Sequence, residues 1–177
     1  MLNNFFLNNF DPKIAALFLT IRSVQGTSIF EVVTFFGNWQ FIIPVILLII
    51  LWLFFKNKKA FIIPFALTVA GAELATFLLK LGFHRGRPLG SIFMETDFSF
   101  PSGHATIAVT FYGYLAYLII KLIKRKYNWL IITLASLIIF FIGFSRLYLG
   151  VHYLSDVLAG YLVGSLFLIL GISLTKK

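Results

Sequence analysis

The sequence predicts an all-α integral-membrane helical bundle with five transmembrane helices and an additional N-terminal amphipathic interfacial helix. Of the 177 residues, 60% are hydrophobic and 12% are charged, and the mean hydropathy is +0.96. Soluble domains average about 45–50% apolar and roughly 25% charged residues, so this composition excludes a water-soluble globule and a disordered chain. Backbone groups in lipid must hydrogen-bond internally, and the alternation of a membrane β-strand is missing. The apolar runs are therefore predicted to be helices.

The chain is predicted to be one domain over residues 1–177, with an interfacial segment at 1–37 and the helical bundle at 38–177. Asp11 and Pro12 suit the cap and first position of a helix that ends at Ser23. Its apolar residues share one face, which favours a helix lying on the outer leaflet; a loosely ordered tail is the alternative. Ser28 and Glu31 have the capping-box spacing of a second helix. No basic region precedes an apolar stretch here, so the segment is not a secretory signal.

Five apolar runs are long enough, or nearly so, to cross a bilayer, which takes about 20 residues. They cover residues 32–55, 60–79, 105–120, 127–145 and 157–175. The third run is short, so its polar start is expected to sink below the membrane surface. Pro44 and Pro64 are expected to kink the first and second spans, as membrane helices tolerate.

The basic residues orient these spans. If the five spans alternate, one side of the membrane carries a purely basic set: Lys56, Lys58, Lys59, Lys121, Lys124, Arg125, Lys126, Lys176 and Lys177. By the positive-inside rule this side is cytoplasmic. The net charge of +9 is thereby explained without a nucleic-acid partner. The prediction is a multi-pass protein of the cytoplasmic membrane whose polar motifs lie on the extracytoplasmic side.

Three polar motifs fall at helix ends on that outer side. They are Lys80 with Arg87 and Pro88, the run Pro101-Ser102-Gly103-His104, and Ser145-Arg146 followed by His152 and Asp156. Converging cations repel one another unless an anion lies between them, and the arginine fork fits phosphate oxygens. The helix start at Ser102 and Gly103 offers free backbone N–H groups to the same anion. The motifs therefore predict a phosphate site.

The two motif histidines suit phosphoryl transfer. His152 and Asp156 are four residues apart, which on a helix would place them on one face. A carboxylate beside an imidazole fixes its tautomer, so the free ring nitrogen of His152 is predicted to attack phosphorus and form a phosphohistidine. His104, which has no carboxylate at that spacing, is predicted to be the general acid. Since cysteine and metal-ligand motifs are absent, we expect no metal and no cofactor.

The pattern K-x6-RP, PSGH and SR-x5-H-x3-D resembles that of the type-2 phosphatidic acid phosphatase superfamily. This family includes integral-membrane lipid phosphatases and shares its site with vanadium-dependent haloperoxidases. The resemblance covers residues 70–160 and implies a metal-independent phosphohydrolase with a histidine nucleophile. It also implies that phosphate is held by Lys80, Arg87, Arg146 and the amides of Ser102 and Gly103. Membrane members usually have six spans, so the short N-terminal segment of this chain departs from the pattern.

We therefore expect hydrolysis of a membrane lipid phosphate or pyrophosphate at the outer face, with the lipid bilayer as surroundings. The resemblance to small bacterial members ranks undecaprenyl pyrophosphate first, phosphatidylglycerophosphate second and phosphatidic acid third. One alternative is a lipid phosphotransferase that uses the same histidine. Another is a non-enzymatic carrier, although a carrier would need only the cations. The sequence predicts no oligomeric state.

Several polar residues lie outside the positions that define the three motifs, and the sequence predicts a structural role for some of them and leaves alternatives open for others. Glu73, inside the second span, is predicted to be structural. His84 and Arg85 are either solvated loop charges or substrate contacts. Glu95 and Asp97 are predicted to belong to a solvated loop, with an effect on the access of anionic substrate as the alternative. Three tyrosines of the third span are predicted to be core or interface residues: Tyr112, Tyr114 and Tyr117.

Overall fold

The computed structural model describes residues 10–93, 95–123 and 127–175, which form seven α-helices and contain no strand. The helices are α1 (Asp11–Ile21), α2 (Val24–Phe35), α3 (Trp39–Phe55), α4 (Ile62–Phe83), α5 (Gly103–Ile123), α6 (Asn128–Tyr148) and α7 (Leu154–Thr175). Within these residues five segments are long and apolar enough to cross a membrane: Val24–Phe55, Lys59–Phe83, Gly103–Leu122, Asn128–Tyr148 and Leu154–Thr175. The all-α class and the five spans are thus confirmed. The predicted cytoplasmic charges at 124–126 and 176–177 lie outside the described residues.

The N-terminal helix is confirmed, but its first residue does not act as a cap. The N-cap position of α1 is Phe10, and Asp11 is buried with only 1% of its surface exposed. The helix packs against α6 and α7, where Phe18 contacts the ring of Phe144 edge-on at 5.4 Å between centroids. The first helix is therefore attached to the bundle through both an apolar residue and a buried carboxylate.

The start of α2 differs from the prediction. Ser23 is its cap, and the Ser23 Oγ accepts a hydrogen bond of 3.1 Å from the Gly26 amide. Ser28 lies one turn inside the helix, where its hydroxyl donates to the Val24 carbonyl at 3.3 Å. The predicted capping box at Ser28 is wrong because a better-placed serine starts the helix five residues earlier. After a break at residues 36–38, α3 continues the span.

The two prolines have different positions. Pro44 lies inside α3, as predicted. Pro64 lies in the first turn of α4, where a backbone N–H has no partner within the helix, so no helical hydrogen bond is lost there. The predicted kink therefore has no cause at Pro64.

Helix α5 is the centre of the bundle and packs against α4, α6 and α7. Its 21 residues give roughly 31 Å at a rise of 1.5 Å per residue, so including the polar start resolves the apparent shortness of this span. Two glycines bring α7 close to it. A Cβ on Gly160 would lie 2.5 Å from the Ser102 carbonyl oxygen, and one on Gly164 would lie 2.8 Å from that of Thr106. Small residues four apart allow such close approach of membrane helices.

The ends of four helices meet at one end of the bundle because consecutive spans run in opposite directions. These are the C-termini of α4 and α6 and the N-termini of α5 and α7, and all three sequence motifs lie on them or on their loops. The connection between α3 and α4, with Lys56, Lys58 and Lys59, lies at the opposite end. The polar motifs and this basic connection are thus separated by the length of the spans.

Candidate active site

Lys80 extends from the last turn of α4 toward the loop that joins α4 to α5. Its ammonium donates to the Phe98 carbonyl at 2.6 Å and pairs with Asp97 at 2.5 Å. Because lysine is on a helix, its backbone is fixed while its long side chain reaches the loop. The first predicted phosphate ligand is therefore already held by loop groups.

Arg87 follows α4 and connects the loop to the third motif. Its Nη1 donates to the Val151 carbonyl at 2.9 Å and lies 3.5 Å from Nε2 of His152. Its Nη2 pairs with Glu95 at 2.6 Å and also with Asp97. The guanidinium thus lies beside the ring nitrogen that is predicted to attack phosphorus.

Arg146, in the last turn of α6, has 2% of its surface exposed. Its Nη1 donates to the Thr34 hydroxyl of α2 at 3.0 Å, and its Nη2 pairs with Glu95. The hydrogen bond to Thr34 orients the guanidinium from the side away from the loop. The three predicted phosphate cations therefore come together through two shared acidic residues.

Glu95 and Asp97 lie in the loop between α4 and α5, and Asp97 is exposed as predicted, but both carboxylates also pair with the motif cations, which the sequence did not predict. Between them they pair with Lys80, Arg87 and Arg146. Burial alone would raise the pKa of Glu95, but the charges of Arg146 and Arg87 outweigh it and hold the pKa below its ordinary value. These carboxylates therefore contact the same cationic groups that a phosphate would contact.

His152 and Asp156 are neighbours, but they do not share a helix face as predicted. Helix α7 begins at Leu154, so His152 lies in the turn before it, with its Nδ1 3.5 Å from Oδ2 of Asp156. The same Oδ2 accepts a hydrogen bond of 2.9 Å from the Tyr153 amide, so the carboxylate also holds the turn. The His152 Nε2 is left facing Arg87.

The ring of His152 is buried among cations. Burial, followed by the charges of Arg146, Arg87 and Lys80, holds the pKa of His152 well below its ordinary value. The imidazole is therefore neutral at neutral pH, which is the state that can act as a nucleophile.

Arg85 and Asp11 lie beside the motif residues. The sequence left Arg85 open between a solvated loop charge and a substrate contact, and it assigned Asp11 to a helix cap. Arg85 donates to Oδ1 of Asp156 at 2.5 Å and to Oδ2 of Asp11 at 2.7 Å. Asp11 in turn accepts from the Ser155 amide at 3.0 Å and from the Ser155 hydroxyl. The guanidinium also stacks on the Tyr153 ring at 4.2 Å from its centroid. The sequence showed only that Asp11 and Arg85 carry opposite charges and lie on the same predicted outer side of the membrane, which does not show that they pair.

Ser102, Gly103 and His104 open α5 as predicted. The Ser102 amide donates to the Asp156 carbonyl at 3.0 Å, so this residue offers its hydroxyl rather than its amide to a ligand. Gly103 is the first helical residue, where the amide has no acceptor within the helix. His104 follows it and packs against Gly37, since a Cβ on that glycine would lie 3.2 Å from the imidazole Cδ2.

A cavity of about 300 Å³ lies between several of these groups. Lys80, Gly103, His104 and His152 line it together with Glu95 and Asp97. Two aromatic residues at its margin, Trp39 and Phe77, are 63% and 56% exposed on the apolar surface of the bundle. The cavity therefore joins a charged interior to a face that lipid would cover.

Buried polar atoms without a hydrogen-bond partner concentrate here within the described residues. Five of them belong to the motifs or line the cavity: Glu73 Oε1, Ser102 Oγ, His104 Nε2, Arg146 Nε and His152 Nδ1. Buried polar groups are nearly always paired in folded proteins, so this concentration indicates a ligand site. No group of three or more His, Cys, Asp or Glu placed to hold a metal ion occurs among residues 10–93, 95–123 and 127–175.

The other polar and aromatic residues considered in the sequence make packing contacts or hydrogen bonds within the fold. His84 ends α4 with a φ of 46°, and its ring contacts that of Phe98 at 4.6 Å. Tyr112 donates to the Phe36 carbonyl at 2.8 Å, and the Tyr114 hydroxyl bonds to that of Thr175 at 2.7 Å. Tyr117 packs against the core of the bundle. The prediction of core aromatics is consistent with these contacts.

Comparisons with known proteins show what this chain is similar to. The PAP2 superfamily pattern matches residues 61–177. Phosphatidylglycerophosphatase B of Bacillus subtilis is 31% identical over 159 residues, which are 88% of this chain and 78% of that protein. Undecaprenyl-diphosphatase of Sulfolobus acidocaldarius is 28% identical over 155 residues, 82% of this chain and 68% of that protein. The crystal structure of a transmembrane PAP2-type phosphatidylglycerolphosphate phosphatase from B. subtilis superposes with a TM-score of 0.92 at 30% identity, covering 97% of this chain and 87% of that chain.

Proposed function

This chain belongs to the PAP2 superfamily and is a multi-pass membrane lipid phosphatase; on that premise we propose that it hydrolyses phosphatidylglycerophosphate through a phosphohistidine at His152. One observation carries the chemistry: Nε2 of His152 lies beside Arg87, in a cavity that Lys80 and His104 also line. The names of the two B. subtilis proteins, which are 31% and 30% identical to this chain, support phosphatidylglycerophosphate as the first candidate, ahead of the undecaprenyl pyrophosphate that the sequence ranked first.

Substrate binding uses the cations. Lys80, Arg87 and Arg146 take the phosphate oxygens, and Ser102 Oγ and the Gly103 amide complete the set of donors. Charge-assisted hydrogen bonds of this kind are short and strong. The carboxylates of Glu95 and Asp97 give way to the phosphate, which brings the same charge to the same partners.

The first chemical step forms a nitrogen–phosphorus bond. The lone pair of the neutral His152 Nε2 attacks phosphorus, and the bond from phosphorus to the lipid oxygen breaks. His104 donates its proton to the departing oxygen, which leaves as an alcohol. The proton on His152 Nδ1 faces Asp156, whose negative charge stabilises the imidazolium that results.

The second step restores the enzyme. His104, now neutral, accepts a proton from a water molecule as its oxygen attacks phosphorus. The nitrogen–phosphorus bond breaks, and inorganic phosphate leaves. Throughout, the charge on the phosphoryl oxygens is neutralised by Lys80, Arg87 and Arg146, so the reaction requires no metal ion.

The membrane arrangement follows from charge. Lys56, Lys58 and Lys59 lie at the end of the bundle opposite the site and mark the cytoplasmic side. The site then faces the extracytoplasmic side of the cell membrane, and the exposed margin at Trp39 and Phe77 lets lipid tails stay in the bilayer.

A second candidate substrate is undecaprenyl pyrophosphate. The name of the S. acidocaldarius relative favours it, and the size of the chain placed it first in the sequence analysis. The same cations would bind its terminal phosphate, and the leaving group would be the lipid monophosphate.

The test is phosphate release from proteoliposomes that contain the purified protein and phosphatidylglycerophosphate. We expect His152→Ala to lose at least about 1,000-fold in kcat, since removing a nucleophile leaves only binding effects. His84→Asn is the matched control and should retain wild-type activity, because His84 lies outside the cavity and Asn tolerates its positive φ. Full activity in EDTA is expected. Activity that survives His152→Ala would contradict the proposed nucleophile.

A further inference from the structure

The side chain of Glu73 lines the cavity of the candidate active site and carries a hydrogen-bond acceptor that is unpaired within the described residues. It lies on α4, two turns before Lys80, and lines the cavity with Thr76 and Phe77. Its Oε1 is buried and has no hydrogen-bond partner within the described residues. The ammonium of Lys80, two turns along the same helix, donates instead to Asp97 and to the Phe98 carbonyl. The carboxyl oxygen is therefore free to accept a hydrogen bond from a ligand.

Its position is at the start of α5, next to the proposed proton donor. The other oxygen, Oε2, lies 3.7 Å from where a Cβ on Gly103 would be, and His104 is the following residue. Nε2 of His104 is itself buried without a partner in the described part of the chain. Two unpaired groups, one acceptor and one imidazole nitrogen, thus lie on the side of the cavity where the leaving oxygen would be protonated.

The neighbouring groups favour a neutral donor at this point. Thr76, one turn along α4, already donates its hydroxyl to Thr106 at 3.1 Å. The three cations are paired with Glu95 and Asp97, and no ion pair within the described residues joins any of them to Glu73. A second phosphate group placed beside Glu73 would add a like charge, whereas an alcohol would satisfy the free acceptor.

We infer that Glu73 forms a head-group subsite: its carboxyl oxygen accepts a hydrogen bond from a hydroxyl on the leaving alcohol. This inference rests on the proposed function and specifies its substrate class, a phosphomonoester of a hydroxylated head group. Phosphatidylglycerophosphate carries such a hydroxyl on the central carbon of its head-group glycerol, adjacent to the carbon that bears the terminal phosphate. Phosphatidic acid, whose leaving alcohol is a diacylglycerol, has none, and a polyprenyl pyrophosphate places a charged phosphate there instead.

The experiment compares kcat/KM for these three lipids in proteoliposomes. The proteins are wild type, Glu73→Ala, Glu73→Gln and the control Glu31→Gln, which neutralises an exposed glutamate of α2. We expect Glu73→Ala to lower kcat/KM for phosphatidylglycerophosphate by about 10- to 100-fold, the effect of losing one buried hydrogen bond to a charged group. The kcat/KM of Glu73→Ala for phosphatidic acid should stay within about twofold of the wild-type value. Glu73→Gln should raise kcat/KM for undecaprenyl pyrophosphate, because it removes a negative charge beside the second phosphate.

The outcomes separate the subsite from the proposed function. A loss that is equal for all three lipids, or no change in their ratios, would overturn the subsite and assign Glu73 to charge balance or packing. If Glu73→Ala does not purify as a folded protein, the ratio for Glu73→Met decides the question, because methionine has a similar length and no oxygen to accept the hydrogen bond, whereas glutamine keeps an acceptor. Wild-type protein that releases phosphate only from phosphatidic acid or the pyrophosphate would contradict the proposed substrate whatever the variants do.

Discussion

Arg85 and Asp156 form a hydrogen-bonded ion pair of 2.5 Å across 71 residues of sequence, and Asp156 has no exposed surface. The carboxylate therefore has His152 on one side and a guanidinium on the other. Since Arg85 also pairs with Asp11, the first helix is connected to the proposed nucleophile through three charged side chains. The segment that the sequence placed on the membrane surface is thus part of the support of the site.

Replacement of Arg85 should reduce turnover more than binding. Without the guanidinium, the Asp156 carboxylate can rotate away from His152, and small displacements of a reacting group cost up to about 100-fold in rate. We expect Arg85→Ala to lower kcat about 10- to 100-fold with little change in KM. Arg85→Lys should recover part of the loss because it keeps the positive charge. The recovery should be incomplete because lysine lacks the planar guanidinium that bonds to Asp156 and Asp11 together.

Asp11→Asn provides the companion measurement on the first helix. It keeps the shape of the side chain and removes the charge that faces Arg85, so a smaller fall in kcat is expected, in the same direction. An increase in KM with unchanged kcat in either variant would contradict a positioning role and would indicate direct contact with substrate.

The spans and the motif residues were predictable from sequence because each depends on local properties. The length of an apolar run determines whether a helix crosses the bilayer. The side chains of Lys80 and Arg87 bind anions, and those of His104 and His152 can transfer protons or attack phosphorus, whatever the surrounding fold. The pair formed by Asp11 and Arg85 was not predictable, since it depends on how α1 packs against α7. Likewise, spacing alone does not show where a helix starts, and the pairing of Asp156 with the Tyr153 amide places His152 before α7 rather than on it.

The dependence of activity on pH should reflect the lowered pKa of His152. The neutral imidazole is the nucleophile, so kcat/KM falls when the pH drops through its pKa, which lies well below the ordinary value of 6.5. We therefore expect the acidic limb of the profile to have its midpoint below 6.5. The substrate phosphate also titrates near pH 6, so its ionisation is to be measured separately by phosphorus NMR and divided out. A corrected midpoint above 6.5 would contradict a buried, cation-surrounded nucleophile.

Neutralising the acidic pair of the loop should strengthen the binding of anions. Glu95 and Asp97 hold the groups that phosphate needs, so the double variant Glu95→Gln with Asp97→Asn leaves those cations without a competing charge. We expect the inhibition constant of inorganic phosphate to fall about tenfold, equivalent to ~1.4 kcal/mol. Glu31→Gln serves as the control for a general change in surface charge. Weaker inhibition by phosphate in the double variant would show that the carboxylates organise the cations rather than compete for them.

The close crossing of α7 on α5 should be sensitive to a single methyl group. A Cβ on Gly160 would lie 2.5 Å from the Ser102 carbonyl oxygen and 2.8 Å from the Ala105 Cβ, so Gly160→Ala must push the helices apart. Overpacking of this kind costs about 1–3 kcal/mol, and we expect a lower apparent melting temperature in detergent. Activity should fall as well, because Ser102 and Asp156 are joined by a hydrogen bond of 3.0 Å across this crossing. Gly82→Ala is the matched control: nothing lies within 4 Å of its Cβ position, and alanine favours the helix, so its stability should be unchanged or higher. Equal melting temperatures for the two variants would contradict the close packing of α7 against α5.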